Sequence, residues 1–282
     1  MRLAAKRDLE AKVPVIIGSA GGSGSDVQVN WTLRILEEIC IGNGLSPRVA
    51  VLRTEIAPET LKTKILNGQT SPLGPIAPLT TETADDTHRV VAMIGIEPFQ
   101  TAIDAGAQII IAGRSSDAAI YAAIPVFRGM APSLAWHMGK VIECGPQVIE
   151  PREGQDCVIG TLYDDYFTIE PGHPERRCTR IRVAAHTLYE NPNPYLLKEP
   201  NGTLNTKAAV FQQVDQHTVR VAGSQWVPAE QYTVKLEGVR YLGYRTVFMA
   251  GIRDPILVST IDDFIASCHA RTARDVATLG IT

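Results

Sequence analysis

Cysteine is scarce in this chain. Cys40, Cys144, Cys157, Cys178 and Cys268 are scattered through 282 residues with no close pair. That excludes a disulfide framework and a CxxC zinc motif, and it points to a reducing, cytoplasmic compartment. Long apolar runs are also missing, and none approaches the length of a membrane span. The opening MRLAAKRDLEAKVP is charged and helix-like, without the apolar middle of a secretory signal. Basic excess is missing as well. The net charge is −3 and no basic stripe appears, so neither nucleic acid nor a membrane is an expected partner. What is present is a globular balance, 45% apolar and 20% charged, able to bury a real core.

The first half alternates. Val13–Gly18 reads as a buried strand, short, β-branched and ended by glycine, and Val29, Leu33, Leu36, Ile39 and Cys40 then recur at helical spacing. Arg48–Thr54 reads as a second strand, Pro58 to Leu66 as a short helix, and the proline-rich Ser71–Thr80 as a loop. Val90–Gly95 and Gln108–Gly113 read as strands three and four. Helices are expected over Glu97–Ala105, Asp117–Phe127 and Ser133–Glu143. Such alternation predicts an α/β fold with a mostly parallel sheet.

From about Val148 the pattern changes to short β-type runs: CVIGTLY, DYFTIE, RCTRIRVAA, HTVRVAG and YTVKLEGVRYLGYRTVFMAGI. An antiparallel or mixed, β-rich second half is expected, followed by a helix from near Thr260. The soft boundary lies near Pro151, dividing residues 1–150, an α/β ligand-binding part, from 151–282. One continuous domain is the alternative.

Two loops in the first half share an order of residues. Val13 leads through GSAGGSGSD to the first helix, and AQIIIAGRSSDAAIYAAI repeats strand, glycine, small polar loop, Ser-Asp and helix. In a parallel sheet such loops lie at the carboxyl ends of the strands, where ligands bind. Helix N-termini there offer free N–H groups to an anion. The expected substrate-binding residues are Gly21, Gly22, Ser23, Gly24 and Ser25 on the first loop and Gly113, Arg114, Ser115 and Ser116 on the second. Arg114 would add a forked cation for a carboxylate or phosphate. The competing reading is a pair of ordinary turns with Ser and Asp as helix caps. The first loop lacks the lysine of a P-loop, and Val27 stands where a dinucleotide fingerprint needs its third glycine. Glu55 could mimic a ribose-binding acid, but Arg53 beside it and the loose spacing weaken NAD binding. No nucleotide or metal signature emerges, and the cofactor stays unnamed.

Other residues carry chemistry with less pattern. His137 lies on an expected helix ending at Cys144, and Cys144 reads as a buried thiol. Asp164, Asp165, His173, Cys178 and His186 have metal-ligating types, but their spacings match no zinc pattern. His186 to Asn191 would line a pocket or end a strand. Arg253 beside Asp254 reads either as a structural ion pair or as a further contact to a substrate carboxylate.

Several segments together, IIGSAGGSGSD, IIIAGRSSDAAIYAAIP, LAWHMGKVIECG, PERRCT, VAAHTLYENPNPY, YTVKLEGV and GYRTVFMAGIRDPIL, resemble the acyclic terpene utilisation A family. It is named for bacterial catabolism of citronellol- and geraniol-type terpenes. The resemblance runs from about Val13 to Phe264. It implies a lyase or hydro-lyase acting on a branched acyl-CoA or hydroxy acid, and a small companion domain in some members. It supplies no assigned catalytic residues. Family members begin with a further strand–loop segment and continue past the region matching Thr282, so this chain is expected to lack both. A missing first strand would expose a sheet edge for a second copy or a partner domain.

The sequence therefore points to an enzyme with a crevice for a small anionic substrate, a CoA thioester among the options. Asp26 or Asp117 would serve as base, with His137 as a further catalytic residue, and N–H groups of Gly21–Ser25 and Ser115–Asp117 would hold the substrate oxygen. The alternatives are a non-catalytic scaffold subunit that needs a companion domain, and a metal-dependent hydrolase using His173 and His186.

Overall fold

The computed structural model describes residues 13–151, 156–245, 247 and 249–278. They divide into two compact units, one ending at Tyr241 and one beginning at Leu242.

In the first unit, β1 (Val15–Ile17) leads through the glycine-rich loop to α1 (Asp26–Asn43) and β2 (Val49–Leu52). Next come α2 (Pro58–Leu66), the short α3 (Thr81–Asp85), β3 (Arg89–Met93), α4 (Glu97–Asp104) and β4 (Ile109–Ala112). Strands β1, β4 and β2 pair in that spatial order, all parallel. The central strand β4 reads IIIA and is buried at every position, as expected where helices cover both faces of a parallel sheet. The alternating α/β first half is therefore as the sequence predicts, apart from α3, whose Thr80 cap accepts from the Thr83 amide.

Strand β3 departs from expectation. It lies outside the parallel ladder and pairs antiparallel with β14 (Lys235–Val239), Arg89 opposite Val239 and Met93 opposite Lys235. Its other edge reaches the ends of β2 and β4. The Ala92 amide donates to the Thr54 carbonyl at 2.8 Å, and the Ser116 amide to the Ile94 carbonyl at 2.9 Å. A strand from the far end of the unit thus extends the sheet beside the β4 loop.

Helices α5 (Ala119–Phe127) and α6 (Pro132–Ile142) follow β4. Helix α6 is buried from Leu134 to Ile142. It lies between two cores. Trp136 belongs to the one under the parallel sheet, and Met138 and Val141 belong to the one with Phe167, Ile169, Val219 and Val221. Trp136 also stacks on Trp226, centroids 5.3 Å apart and nearly coplanar.

The second half is antiparallel. After β5 (Ile149–Glu150), β6 (Val158–Leu162) and β7 (Tyr166–Pro171) come the two-residue β8 (Arg177–Cys178) and α7 (Arg180–Thr187). Then β9 (Leu196–Glu199), β10 (Gly202–Asn205), β11 (Val210–Gln213), β12 (Val219–Ala222) and β13 (Gln225–Pro228) precede β14. They form the sheets β11-β12-β7-β6 and β13-β10-β9.

Two β-type expectations are corrected. RCTRIRVAA is mostly helix α7. The Thr179 hydroxyl accepts from the Arg182 amide, and the buried face is Val183, His186 and Thr187. That is helical spacing; Ile181, which gave the segment its strand-like alternation, is exposed. The apolar TVFMAGI contains no strand among its described residues, which are solvent-facing. In the second unit, α8 (Pro255–Ser259) is capped by Asp254, whose carboxylate accepts from the Leu257 amide at 2.9 Å. Helix α9 spans Ile261–Thr278. Among the described residues, no helix is long and apolar enough to cross a membrane.

Candidate functional site

The two glycine-bearing loops meet at the carboxyl ends of β1 and β4, and they fit against each other. The Ser19 amide donates to the Gly113 carbonyl at 2.9 Å, and the Ala20 amide to the Ala112 carbonyl at 3.0 Å. A methyl built on Gly24 would stand 2.1 Å from the Arg114 amide nitrogen, and one on Gly113 would stand 2.3 Å from the Thr54 hydroxyl. These glycines serve the close approach of two backbones.

Donors of the first loop are largely committed. The Ser23 amide donates to the Gln28 side chain at 2.8 Å, and the Ser25 amide to the Ser23 hydroxyl. Gly22 and Gly24 bond within the loop. The Asp26 amide, at the start of α1, donates to the Glu55 carboxylate at 2.7 Å, which is also held by Arg89. The positive end of α1 is thus met by the chain's own carboxylate rather than by the Ser25 side chain, which makes no cap bond. Glu55 acts as this helix's anion. The Asp26 carboxylate lies 3.2 Å from Arg53.

Arg114 is a crossing point. Its guanidinium donates to both oxygens of Glu237, at 2.8 and 3.3 Å, to the Ser19 hydroxyl at 2.8 Å and to Asp117 at 3.3 Å. Burial alone would lower its pKa, but the Glu237 hydrogen bond and the nearby carboxylates raise it on balance. The fork expected for a substrate anion is filled by Glu237 on β14, and it holds both loops and Asp117 in place.

Beyond Asp117 the arrangement changes. Gly139 on α6 lies directly against the Ala118 carbonyl, where a methyl would stand at 2.6 Å. This approach brings α6 to the start of α5 and sets Lys140 and Glu143 near Ser116 and Asp117. Lys140 is buried and paired with Glu143, as a buried ammonium requires, and its Nζ is 6.0 Å from the Tyr189 ring centre. Burial pushes the Glu143 carboxyl up, against the pull of Lys140.

Glu199, at the end of β9, joins this group. Burial raises its carboxyl from 4.5 to about 7, while a hydrogen bond from Ser116 pulls the other way, and the charges of Glu143, Lys140 and Asp117 act on it. The residue keeps partial exposure, but its Oε2 is buried with no hydrogen-bond partner among the described residues. Tyr121 faces the same charges. Its hydroxyl is pushed up by burial and by Glu143 and Asp117. The Asp117 and Ala118 amides, just before α5, have no backbone partner among the described residues.

The other expected residues sit elsewhere. His137 is fully enclosed. Its Nδ1 is 2.5 Å from the Ser224 hydroxyl, its Nε2 is 3.0 Å from the Thr187 hydroxyl, and Phe167 and Phe211 meet its ring edge-on. Burial lowers its pKa to about 3, so the ring is a neutral core group at ordinary pH. Arg253 is exposed and belongs to the second unit. His173 is exposed and accepts from the Glu175 amide, Asp165 faces Arg220 at 3.6 Å, and burial pushes the Cys178 thiol up to about 12. Among the described residues, His173, Asp165 and Cys178 do not come together as a metal-ligating group. Two open surface depressions, of about 850 and 410 Å³, are lined by residues of the antiparallel half and by none of the loop residues.

Ser116 and Asp117 were legible from the repeated loop. Lys140, Glu143 and Glu199 were not. The available signal was Lys140 itself, a charge inside LAWHMGKVI, otherwise apolar save for His137. No curated protein and no solved structure matches this chain. One family model matches residues 4–153, described as acyclic terpene utilisation family protein AtuA. That match spans more than half of the chain, and the first-half loops lie within it: the chain belongs to the acyclic terpene utilisation family.

Proposed function

We propose that this chain is a catabolic hydro-lyase that removes water from a branched hydroxyacyl-CoA or a related hydroxy-acid anion. The observation that carries this reading is Glu199, a carboxyl raised to about 7 and hydrogen-bonded by Ser116 at the carboxyl end of the central strand. A carboxyl poised near neutrality suits general acid–base work. The family's association with terpene catabolism supports an acyl substrate, and the few free cysteines suit a cytoplasmic enzyme.

In this reading the Asp117 and Ala118 amides receive the substrate's carbonyl oxygen, as preorganised donors do for a developing enolate. Asp117 takes the proton from the carbon beside that carbonyl. The freed electron pair becomes the new double bond, and the hydroxyl on the next carbon leaves as water with the proton of Glu199. Arg114 positions Asp117, and Lys140 balances the local negative charge. Residues Gly21–Ser25 and Gly113–Ser115 form the back of the crevice. Asp26 and His137 serve the scaffold in this scheme, and the exposed Arg253 takes no part in it.

The test is turnover of branched 3-hydroxyacyl-CoA thioesters and free hydroxy acids by the full chain. Glu199→Gln should lower kcat by roughly 100-fold or more with little change in KM, and the limb of the pH–rate profile near neutrality should vanish. If the wild-type chain turns over none of these compounds, or if Glu199→Gln keeps its rate, the assignment fails.

A further inference from the structure

At the end of α6, Glu143 and Cys144 come beside His186 in the last turn of α7. One ligand atom from each, a carboxylate oxygen, the thiol sulfur and an imidazole nitrogen, lies within 4.8 Å of the other two. The two helices pack against each other. His186 is buried, the Glu143 side chain nearly so, and Cys144 is half-buried. We propose that Glu143, Cys144 and His186 form a zinc-type divalent metal site with one coordination position left open.

Three features point this way. The donor set is mixed: a soft sulfur, an imidazole and a carboxylate. This combination suits zinc better than calcium or magnesium, which prefer all-oxygen cages. Zinc bonds of roughly 2.0–2.3 Å put tetrahedral ligand atoms about 3.5 Å apart. The three ligand atoms here, within 4.8 Å of one another, would have to draw together on binding. Second, the site lies at the C-terminal ends of two helices, whose carbonyl dipoles favour a cation. Third, the field is short of positive charge. The groups acting on Cys144 are the carboxylates of Glu143, Glu190 and Asp117 against the single ammonium of Lys140.

Supporting groups are in place. Lys140 holds Glu143 through Oε1, leaving the other oxygen for the metal. Tyr189 stacks on the His186 ring at 5.4 Å and fixes its plane. Both resemble the outer contacts that orient metal ligands. On binding, the Cys144 thiol proton passes to solvent and the sulfur enters as thiolate. Sequence pattern offers His186 as a metal-ligating type but not these partners, because Glu143-Cys144 and His186 are far apart in the chain, at a spacing that matches no zinc motif. Metal binding here does not depend on the proton transfer proposed for Glu199.

The test uses the full chain, stripped by a chelator and titrated with cobalt(II), with zinc in competition. About one equivalent should bind, with a thiolate-to-cobalt charge-transfer band that zinc abolishes. Cys144→Ser should remove the band and weaken binding by about 100-fold or more, since loss of an outer-shell partner alone costs 10–100-fold. The double variant Cys157→Ser, Cys268→Ser, which removes exposed thiols, should keep both band and affinity. Should Cys144→Ser fail to fold by circular dichroism, His186→Gln supplies the affinity readout, with cobalt binding weakened by about 100-fold or more. The site is overturned if less than one equivalent binds, if the band survives in Cys144→Ser, if His186→Gln binds cobalt as tightly as the wild type, or if the band disappears with the exposed cysteines.

Discussion

At the scale of single residues, two titratable groups shifted by burial pull stability in opposite directions with pH. His137 has its pKa lowered from 6.5 to about 3 by burial. Protonation is disfavoured in the folded state, so its contribution is full above pH 6.5 and is lost as pH falls toward 3. Glu199 has its pKa raised from 4.5 to about 7. The folded state holds that proton more tightly, so its contribution is full below pH 4.5 and is lost as pH rises through 7. Between about pH 4.5 and 6.5 the two slopes oppose each other. At roughly 1.4 kcal/mol per unit, the Glu199 loss is at most about 3–4 kcal/mol. Urea denaturation across pH separates the two. Glu199→Gln should flatten the decline between pH 4.5 and 7, leaving the weaker slope of Glu143, and His137→Gln should flatten the acid limb. A Glu199→Gln curve parallel to the wild type would mean that this carboxyl is not proton-loaded in the fold.

At the scale of elements, the site depends on how closely two loops approach. Gly24 has a φ of +69°, and a methyl there would meet the Arg114 backbone, which cannot move aside as a side-chain tip could. Gly24→Ala should therefore destabilise by about 2 kcal/mol or more, read as a lower urea midpoint. A neutral result would mean that the loops do not pack in this way. Such loops were legible, because glycine after an apolar run marks a strand end at any distance from its partners. The elements that were misread lacked a local signal of their packing. In RCTRIRVAA, Ile181 and Val183 alternate as a strand would, yet only Val183 is buried. The helix shows itself through Thr179 and the Val183–His186–Thr187 face. The run TVFMAGI is apolar, but its described residues find no ladder to join. Ser116 and Asp117 could be read from their loop. Glu199, at a strand end in the β-rich half, gains its meaning only from the β4 loop it folds against.

At the scale of the whole molecule, the family match ends near residue 153, yet the first-half sheet does not end with it. Strand β14 returns from Lys235–Val239 to pair with β3, and its Glu237 grips Arg114 at the centre of the loops. Trp136 and Trp226 tie α6 to β13 in the same way. Contacts of this reach couple the halves of the unit that ends at Tyr241, and such a unit should open as one. Native-state hydrogen exchange tests this directly. Amides of Ile110 and Ile111 on β4 and of Val219 and Val221 on β12 should report the same opening free energy. Glu237→Gln, which leaves the partly buried Arg114 guanidinium with only Asp117 and Ser19, should lower both by the same amount, about 1–3 kcal/mol. If β4 and β12 open with different free energies, or if Glu237→Gln lowers one and spares the other, the halves are separate cooperative units and the β14 return is a surface contact only.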